Sequence, residues 1–575
     1  MANAQSEPAD DRLRWVTSFT AEHGRSPSVL HFGNVANNGY NNAKLLVDAG
    51  LDCDVLCADY YHIMACPEWE DADIEGTVAD QFHPDWSSVD LQGFSRPPWF
   101  AQGPLDICLL YLIARKRQRR VVAGALWRML LATCHLRPAG STFAAKRLRF
   151  VWFTLSYLIW TICRFARYEP SFDVRGKYHR YTEGARHAGD RLLAVCRVAL
   201  VMVVGLALLP LWLANLAVAG IVTALAIGKI PRWYFRTAMA PAKSIVRAVA
   251  RLWGVGTANG SESPDDLAVS FEEAFPDRPD QLQASDIDVY APVLPLFKEL
   301  FSCYDIVEAY ATCPIYPLLA GKRPYIAYEH GTIRDIPFEA TPAGRTTAIS
   351  YRLADYSFVT NPDCIEAARK LQLKEFCYVP HVIDRKYHQE VPATARKPIV
   401  FCPARHDWRD KGSDQVIRGF AEFAREADEF RLVMTNWGQD LDRSRQLIDE
   451  LGIADRVQLI EPLPVIKMIR LIGESRILVD QFSGNCGGIA PAALSVGTPL
   501  VIHLDLSKYE WCWTQPPPYY DATDAGEICQ ALHAALTCNM DELRDKARIW
   551  VQENYWYKQV VREHLRVYDH LLRRD

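Results

Sequence analysis

Two cations carry the clearest chemical signal in this 575-residue chain. In the stretch PARHDWRDKGSD, Arg405 and Lys411 share one loop, and Gly412 opens the segment that follows. Fixed positive charges beside the free N–H groups of a helix start make a site for a diphosphate; a solvated basic loop is the plain alternative. A second signal is VDQFSGNCGGIAPAALSVGTP, from Val479 to Pro499. Its Gly484, Gly487 and Gly488 let backbone amides come close to a ligand, with Asp480, Asn485 and Thr498 as polar company. An ordinary tight turn uses the same glycines. The third signal is YEHGTIR, where Glu329, His330 and Arg334 form a candidate polar cluster; a strand-end histidine beside an edge ion pair is the plainer reading. The fourth is a Gly/Asn turn holding Gly33, Asn37, Asn38 and Gly39. The sixteen cysteines are scattered singly, without C-x-x-C pairs, so neither a zinc site nor a disulfide framework is expected and a reducing compartment is.

These residues need elements to hold them. SVLHFG, from Ser28 to Gly33, predicts a strand; the turn Asn34 to Gly39, a helix over Ala43 to Ala49 and a strand over Cys53 to Cys57 follow. Strand, loop, helix, strand is the opening of a parallel, doubly wound sheet. The apolar runs in YDIVEAY, PYIAYEHG and YSFVTN resume it from Tyr304. From Pro398 a second set begins with PIVFCPARHDW and continues through RLVMTNW, VQLIEPL and SRILVDQF. The fold class expected is α/β, with two Rossmann-like domains facing across a cleft. Ligands of such sheets bind beyond the carboxyl ends of the strands, where the chemical signals lie.

Between the two sets the charge changes character. The whole chain carries a net charge of −5, yet Arg115 to Arg251 holds 24 basic and four acidic residues, a net +20. Inside that island runs Val198 to Gly228, thirty-one residues without a charge and with only Asn215 and Thr223 clearly polar. Basic charge beside such an apolar run selects anionic membrane lipids over nucleic acid as the partner. Trp160, Trp212, Trp233 and Trp253, with Lys243, Arg247 and Arg251 recurring along one helix face, fit the head-group region. Both flanks belonging to one domain requires an even number of crossings. The link before Val198 is rich in Arg, which opposes placing it outside. The expected form is therefore a re-entrant hairpin bent at Pro210, flanked by interfacial helices; a buried core hairpin is the alternative. The N-terminus, MANAQSEPADDRLRW, lacks a signal-peptide pattern, so the expected location is the cytoplasmic face of the inner (plasma) membrane.

Taken together, YDIVEAY, YEHGTIR, ADYSFVTNPD, the YVPHVID hinge, the Arg405/Lys411 loop and DQFSGNCGGIAPAALSVGTP resemble family 4 glycosyltransferases of the GT-B fold. The resemblance covers roughly Ser28 to Cys108 and Tyr304 to Asp575. It implies that Arg405 and Lys411 hold the diphosphate of a nucleotide-sugar donor, of UDP or GDP type, without a metal or other cofactor. It implies that the loop from Asn34 to Gly39 approaches donor and acceptor, that His330 stands beside the transferred sugar, and that transfer is retaining. In the family two glutamates precede the Gly-Thr-Pro turn; here those places are Gly484 and Ala492, so ribose recognition falls to Asp480, Asn485 or Glu461.

The expected division is a polar tail (1–27), an acceptor domain in two parts (28–112 and 287–390), a helical membrane insertion (113–258), an acidic linker (259–286), a donor-binding domain (391–553) and a helix crossing back to the first domain (554–575). The expected function is sugar transfer to a lipid or lipid-linked acceptor in cell-envelope assembly of bacterial type. The competing reading is a catalytically inactive GT-B pseudoenzyme serving as a membrane scaffold or sugar-binding partner.

Overall fold

The computed structural model describes residues 9–136, 264–387 and 396–573. The first domain is built on a parallel sheet of β1 (Ser28–Phe32), β2 (Asp52–Ala58), β3 (Phe100–Gly103), β4 (Ile306–Tyr310), β5 (Tyr325–Tyr328), β6 (Tyr356–Val359) and β7 (Phe376–Tyr378). Their order is β3-β2-β1-β4-β5-β6-β7. The second sheet comprises β8 (Lys397–Cys402), β9 (Arg431–Thr435), β10 (Val457–Ile460), β11 (Ser475–Val479) and β12 (Leu500–Val501), in the order β10-β9-β8-β11-β12. Strands β1, β4, β5 and β6 are buried along their whole length, which is why their sequences are nearly unbroken apolar runs instead of alternating ones. In both sheets the chain works outward from its first strand, then returns to that strand's other side. The reversal falls between β1 and β4 and between β8 and β11, where ligand crevices form in such sheets.

Strand β1 pairs with β4 in register, Val29 opposite Ile306 and Phe32 opposite Ala309. Residues 137–263 therefore leave and re-enter a single domain. The flanks share one core as well: Leu126 and Leu130 before the gap, Leu267 and Phe271 after it, are buried in the same cluster. The predicted membrane residues Trp160, Pro210, Trp212, Trp233, Lys243, Arg247, Arg251 and Trp253 lie outside the described residues. Among the described residues no helix is long and apolar enough to cross a membrane.

Three boundaries differ from the sequence expectation, each for a local reason. The polar tail gives way at Ala9 to a helix, α1 (Ala9–His23), because Val16 and Phe19 share a face that becomes buried. The insertion boundary at 113 falls inside a core helix. The segment of α2 (Asn38–Asp48), α3 (Pro67–Asp71), α4 (Leu105–Lys116) and α5 (Arg120–Thr133) all belongs to the first domain. The basic residues that made α4 look membrane-facing are paired internally: Arg115 with Asp54 at 2.8 Å, Lys116 with Asp52 at 2.7 Å and with Asp54 at 2.9 Å. The acidic linker contains α6 (Pro264–Ala274), and its carboxylates face partners in the fold, Asp286 meeting Arg345 at 2.7 Å.

In the second domain α7 (Ser413–Phe423) follows β8, and α8 (Ile489–Ser495) follows β11. The chain ends with α9 (Met540–Asn554) and α10 (Tyr557–Leu572), the latter returning to the first domain. There Val560, Leu565, Val567 and Tyr568 are buried in one cluster with Val29, Tyr310 and Tyr328. A polar knot pins this contact: the carboxylate of Glu308 on β4 accepts hydrogen bonds from Tyr310 and Tyr568, each at 2.6 Å, with His31 and His564 at 3.5 and 3.4 Å. A carboxylate this deep survives only because donors surround it. Two Rossmann-like domains joined by a helix that crosses back is the arrangement the GT-B resemblance implies.

Candidate functional site

The loop after β1 is shaped by what its backbone cannot tolerate. Gly33 has φ of +105°, and a Cβ on Gly39 would lie 2.4 Å from the carbonyl oxygen of Gly33. The chain therefore doubles back on itself at a contact only glycine permits. The carboxamide of Asn34 holds the turn, accepting from the Tyr40 N–H at 2.8 Å and donating to the Ala65 carbonyl at 2.9 Å. Asn37, left-handed at φ 57°, donates inward to the Cys66 carbonyl at 3.2 Å and Glu70 at 3.3 Å. Of the four turn residues it is Asn38 whose side chain reaches the carboxyl edge of the sheet.

There it meets two histidines. Asn38 Nδ2 lies 3.4 Å from Nδ1 of His330, just beyond β5, and its Oδ1 lies 3.1 Å from Nδ1 of His381, just beyond β7. The two imidazoles stand edge to face, their centroids 5.2 Å apart. Burial pushes His330 down to about 3, with His381 and Arg334 adding to the effect, and pushes His381 down to about 4, with Arg334 again opposing a proton. Both rings are neutral at physiological pH.

Glu329 and Arg334 flank this pair but do not join each other. The buried Glu329 carboxylate accepts from the N–H groups of Gly331, Thr360 at 3.1 Å and Asn361 at 3.0 Å, so it ties the loop after β5 to the loop after β6. Burial raises its pKa despite those donors. Arg334 pairs with Asp363, Nη2 to Oδ1 at 2.8 Å.

The cations come from the second domain. Arg405 lies beyond β8, bonded through Nη2 to Asp407 at 2.9 Å and partly exposed. Lys411 precedes Gly412, whose φ of +66° turns the chain into α7. The Lys411 ammonium donates to Gln481 beyond β11. Burial lowers its pKa, while the neighbouring Asp480 opposes that fall. Asp480 itself is pushed up to about 6 by burial, against the pull of Lys411. Its Oδ2 and Asn485 Oδ1 are buried acceptors without a protein partner, one on each side of the glycine turn. Gly488 opens onto free space. At Gly484, φ +78°, a Cβ would fall 3.0 Å from that of Asp505 and 3.5 Å from the Lys508 ammonium, while the Asp505 carboxylate accepts from Ser507 at 2.6 Å. Ala492 is buried inside α8. Glu461 is bonded to Asn436 at 3.1 Å on the outer strand of the sheet.

Thr498 is displaced from the others. It precedes β12, hence stands at the amino edge of a parallel sheet, where its hydroxyl donates to the Ile472 carbonyl at 2.9 Å and accepts from Arg396 at 2.6 Å. Its role is structural.

Two contacts, from Tyr378 and from Trp511, bring the halves together, and a third inside the second domain braces the glycine turn. Tyr378, at the end of β7, donates to Tyr555 at 3.2 Å, which in turn points at Cys486 Sγ in the glycine turn at 3.8 Å. The Cys486 N–H donates to the Tyr509 hydroxyl. Trp511 Nε1 donates to the Pro362 carbonyl at 3.0 Å, next to Asp363. The hinge after β7 is clamped too: Lys386 binds Glu70 and, at 3.0 Å, Asp71, which also holds Lys44 at 2.9 Å and the Tyr40 hydroxyl at 2.6 Å. Glu70 is also the carboxylate that holds Asn37, so hinge and glycine loop share one anchor.

Two cations thus stand at the carboxyl edge of the second sheet, beyond β8, and a pair of imidazoles at the carboxyl edge of the first, beyond β5 and β7. That geometry stabilises negative charge developing on a bound group. Burial makes both rings weaker bases than a free imidazole. Among the described residues no group of three or more His, Cys, Asp or Glu could hold a metal ion. His381, Asp363, Lys386, Asp505 and Tyr509 are site or support residues that the sequence reading missed. The histidine stands inside the YVPHVID hinge motif and Asp363 closes the ADYSFVTNPD motif, while Lys386, Asp505 and Tyr509 carried no local pattern.

No family model matches the chain, and no curated protein matches it. Among solved structures it is similar to sucrose-phosphate synthase from Thermosynechococcus elongatus, 15% identical over 50% of this chain and 79% of that one, with a TM-score of 0.39. It is also similar to Anabaena HepE in complex with UDP, 13% identical over 49% of this chain and 82% of that one, TM-score 0.41. A third is α,α-trehalose 6-phosphate synthase from Burkholderia multivorans, 12% identical over 53% and 82%, TM-score 0.36.

Proposed function

We propose that this protein is a glycosyltransferase that takes a sugar from a nucleotide-sugar donor, of UDP or GDP type, and passes it to a lipid or lipid-linked acceptor at the cytoplasmic face of the inner membrane. Two observations carry the reading: Arg405 and Lys411 beside the start of α7 at the carboxyl edge of the second sheet, and His330 and His381, both lowered in pKa by burial, at the carboxyl edge of the first. As the bond to the sugar breaks, charge grows on the leaving diphosphate. The guanidinium, the ammonium and the N–H groups of the glycine turn would take up that charge without a metal. Neutral imidazoles suit sugar hydroxyls, which ask for hydrogen bonds and no ion. Transfer would be retaining, as the resemblance to family 4 glycosyltransferases implies. The membrane part of the proposal rests on the +20 island and its uncharged run of thirty-one residues. Because the chain leaves and re-enters the first domain, that segment belongs to the half bearing the histidines, and the acceptor would arrive from the same side.

Isothermal titration with UDP, GDP and their glucose and mannose conjugates tests this. Binding of one of them, reduced at least tenfold by Arg405→Ala, is the expected result; no binding by any of them refutes the enzyme reading. The inactive-scaffold reading has its own support in Gly484 and Ala492, which offer no carboxylate. Donor hydrolysis or transfer to membrane lipid extracts separates the two, since a scaffold binds without turnover.

A further inference from the structure

We propose that Asn38 is a positioning residue that fixes His330 and His381 in complementary tautomers, so that the pair offers one N–H donor and one bare nitrogen to a hydroxyl of the bound ligand. The inference rests on the sugar-binding reading above for its ligand, but not for its chemistry. A primary carboxamide has a donating end and an accepting end. Here the ends meet the same atom of two different imidazoles: Oδ1 faces His381 Nδ1 at 3.1 Å, and Nδ2 faces His330 Nδ1 at 3.4 Å. His381 must then carry its proton on Nδ1, leaving Nε2 as an acceptor. His330 must leave Nδ1 bare, which places its proton on Nε2. Turning the carboxamide over would exchange the two tautomers and keep them complementary.

The neutral state this requires is the one the surroundings enforce. Both rings are crowded at the edge of the sheet, and the Arg334 guanidinium, anchored by Asp363, disfavours a proton on either. With both Nδ1 atoms engaged, the Nε2 atoms are what remains for a ligand. A hydroxyl is the group that satisfies both, accepting from one Nε2–H while donating to the other Nε2. A phosphate or carboxylate has nothing to donate to the bare nitrogen, and an ammonium cannot accept from the protonated one. The pair therefore selects a neutral polyol, such as the sugar of a donor, and leaves the anion to the Arg405 loop. Loss of one hydrogen-bond partner in such a site strands a polar group, which is how sites of this kind discriminate.

The test is nitrogen NMR of the imidazoles in full-length protein labelled on histidine, at neutral pH, with His330→Gln and His381→Gln spectra to assign the signals. The expected result is a bare Nδ1 in His330 and a bare Nε2 in His381, or the reverse. Asn38→Asp supplies two acceptors and no donor, so both rings should move their proton to Nδ1. Identical tautomers in the parent protein, or an unchanged pattern in Asn38→Asp, overturn the proposal; if that variant fails to fold, the parent spectrum alone decides. Calorimetry with UDP and UDP-glucose supplies the second readout. Asn38→Asp should keep the affinity for UDP within twofold and lose at least tenfold for UDP-glucose. Equal losses for both ligands overturn the hydroxyl-positioning role. Complementary tautomers in a protein that binds neither ligand support the role of Asn38 and refute the donor assignment instead.

Discussion

Replacing Glu308 should unfasten the last helix. Its carboxylate accepts from Tyr310 on its own strand and from Tyr568 on α10, both at 2.6 Å, with no solvent access to any partner. In Glu308→Ala the Tyr568 hydroxyl loses its acceptor, whereas Tyr310 keeps His31 at 2.9 Å and Asn42 at 3.1 Å. A hydrogen bond to a charged group contributes about 1.5–3 kcal/mol, and a stranded buried polar group costs about 1–3 kcal/mol. Removing the buried charge returns part of this, so the net loss should be about 4 kcal/mol, within the range for breaking one side of a buried polar pair. Against a typical domain stability of about 5–15 kcal/mol that is a large fraction. Glu308→Gln retains the shape and one acceptor, and should lose only about 1–2 kcal/mol. The assay is pulse proteolysis of the full-length protein in detergent across a urea series, following an epitope after α10. The epitope should be lost at clearly lower urea in Glu308→Ala, with Glu308→Gln between it and the parent. An alanine variant within about 1 kcal/mol of the parent would refute the role assigned to the knot.

Other expectations follow from single contacts. Gly39→Ala must push a methyl group into the Gly33 carbonyl, 2.4 Å away, and should cost about 3 kcal/mol, read as a lowered thermal midpoint together with weakened donor binding. Lys411→Ala should weaken binding of a nucleoside diphosphate more than tenfold and leave the nucleoside alone unaffected, by calorimetry, since the ammonium meets only the charged part. Asp71 is raised by burial but held down at about 2 by Lys386 and Lys44. A carboxylate with a depressed folded pKa stabilises above its unfolded value, and that stability is lost as pH falls from about 4 towards 2. Asp71→Asn should therefore flatten the acid limb of the stability curve in that window; an unchanged acid limb would argue against the clamp.

The strands were legible because a parallel strand buried on both faces is mostly apolar, as β1 and β4 are along their length and β8 is at its buried end. Arg405 and Lys411 were legible because the loop after a strand of this kind is where ligands sit. Thr498 was misjudged although its position before a strand already places it at the opposite edge. His381 was quoted as part of a hinge and not as a site residue, since nothing local connects it to Asn38, more than three hundred positions away. The boundaries at 113 and 286 went astray because charge was read as a surface property. Arg115, Lys116 and Asp286 are charged, yet their partners, Asp54 on β2 and Arg345 in the helix Pro342–Arg352, are buried, and only the fold reveals a partner.

The β1–β4 pairing also dictates an order of events during synthesis. Strands β1 to β3 are complete by Gly103, but the neighbour that seals the open edge of β1 begins only at Ile306. At about 5–20 residues per second, those roughly 200 intervening residues take on the order of ten to forty seconds to emerge. Throughout that interval the central strand of the future sheet presents an unpaired edge, a surface prone to mispairing. The +20 island reaches its lipid partners, on the function proposed here, before the domain that carries it has closed. Membrane targeting would then precede folding, and the final helix, arriving last of all, would lock a domain already in place.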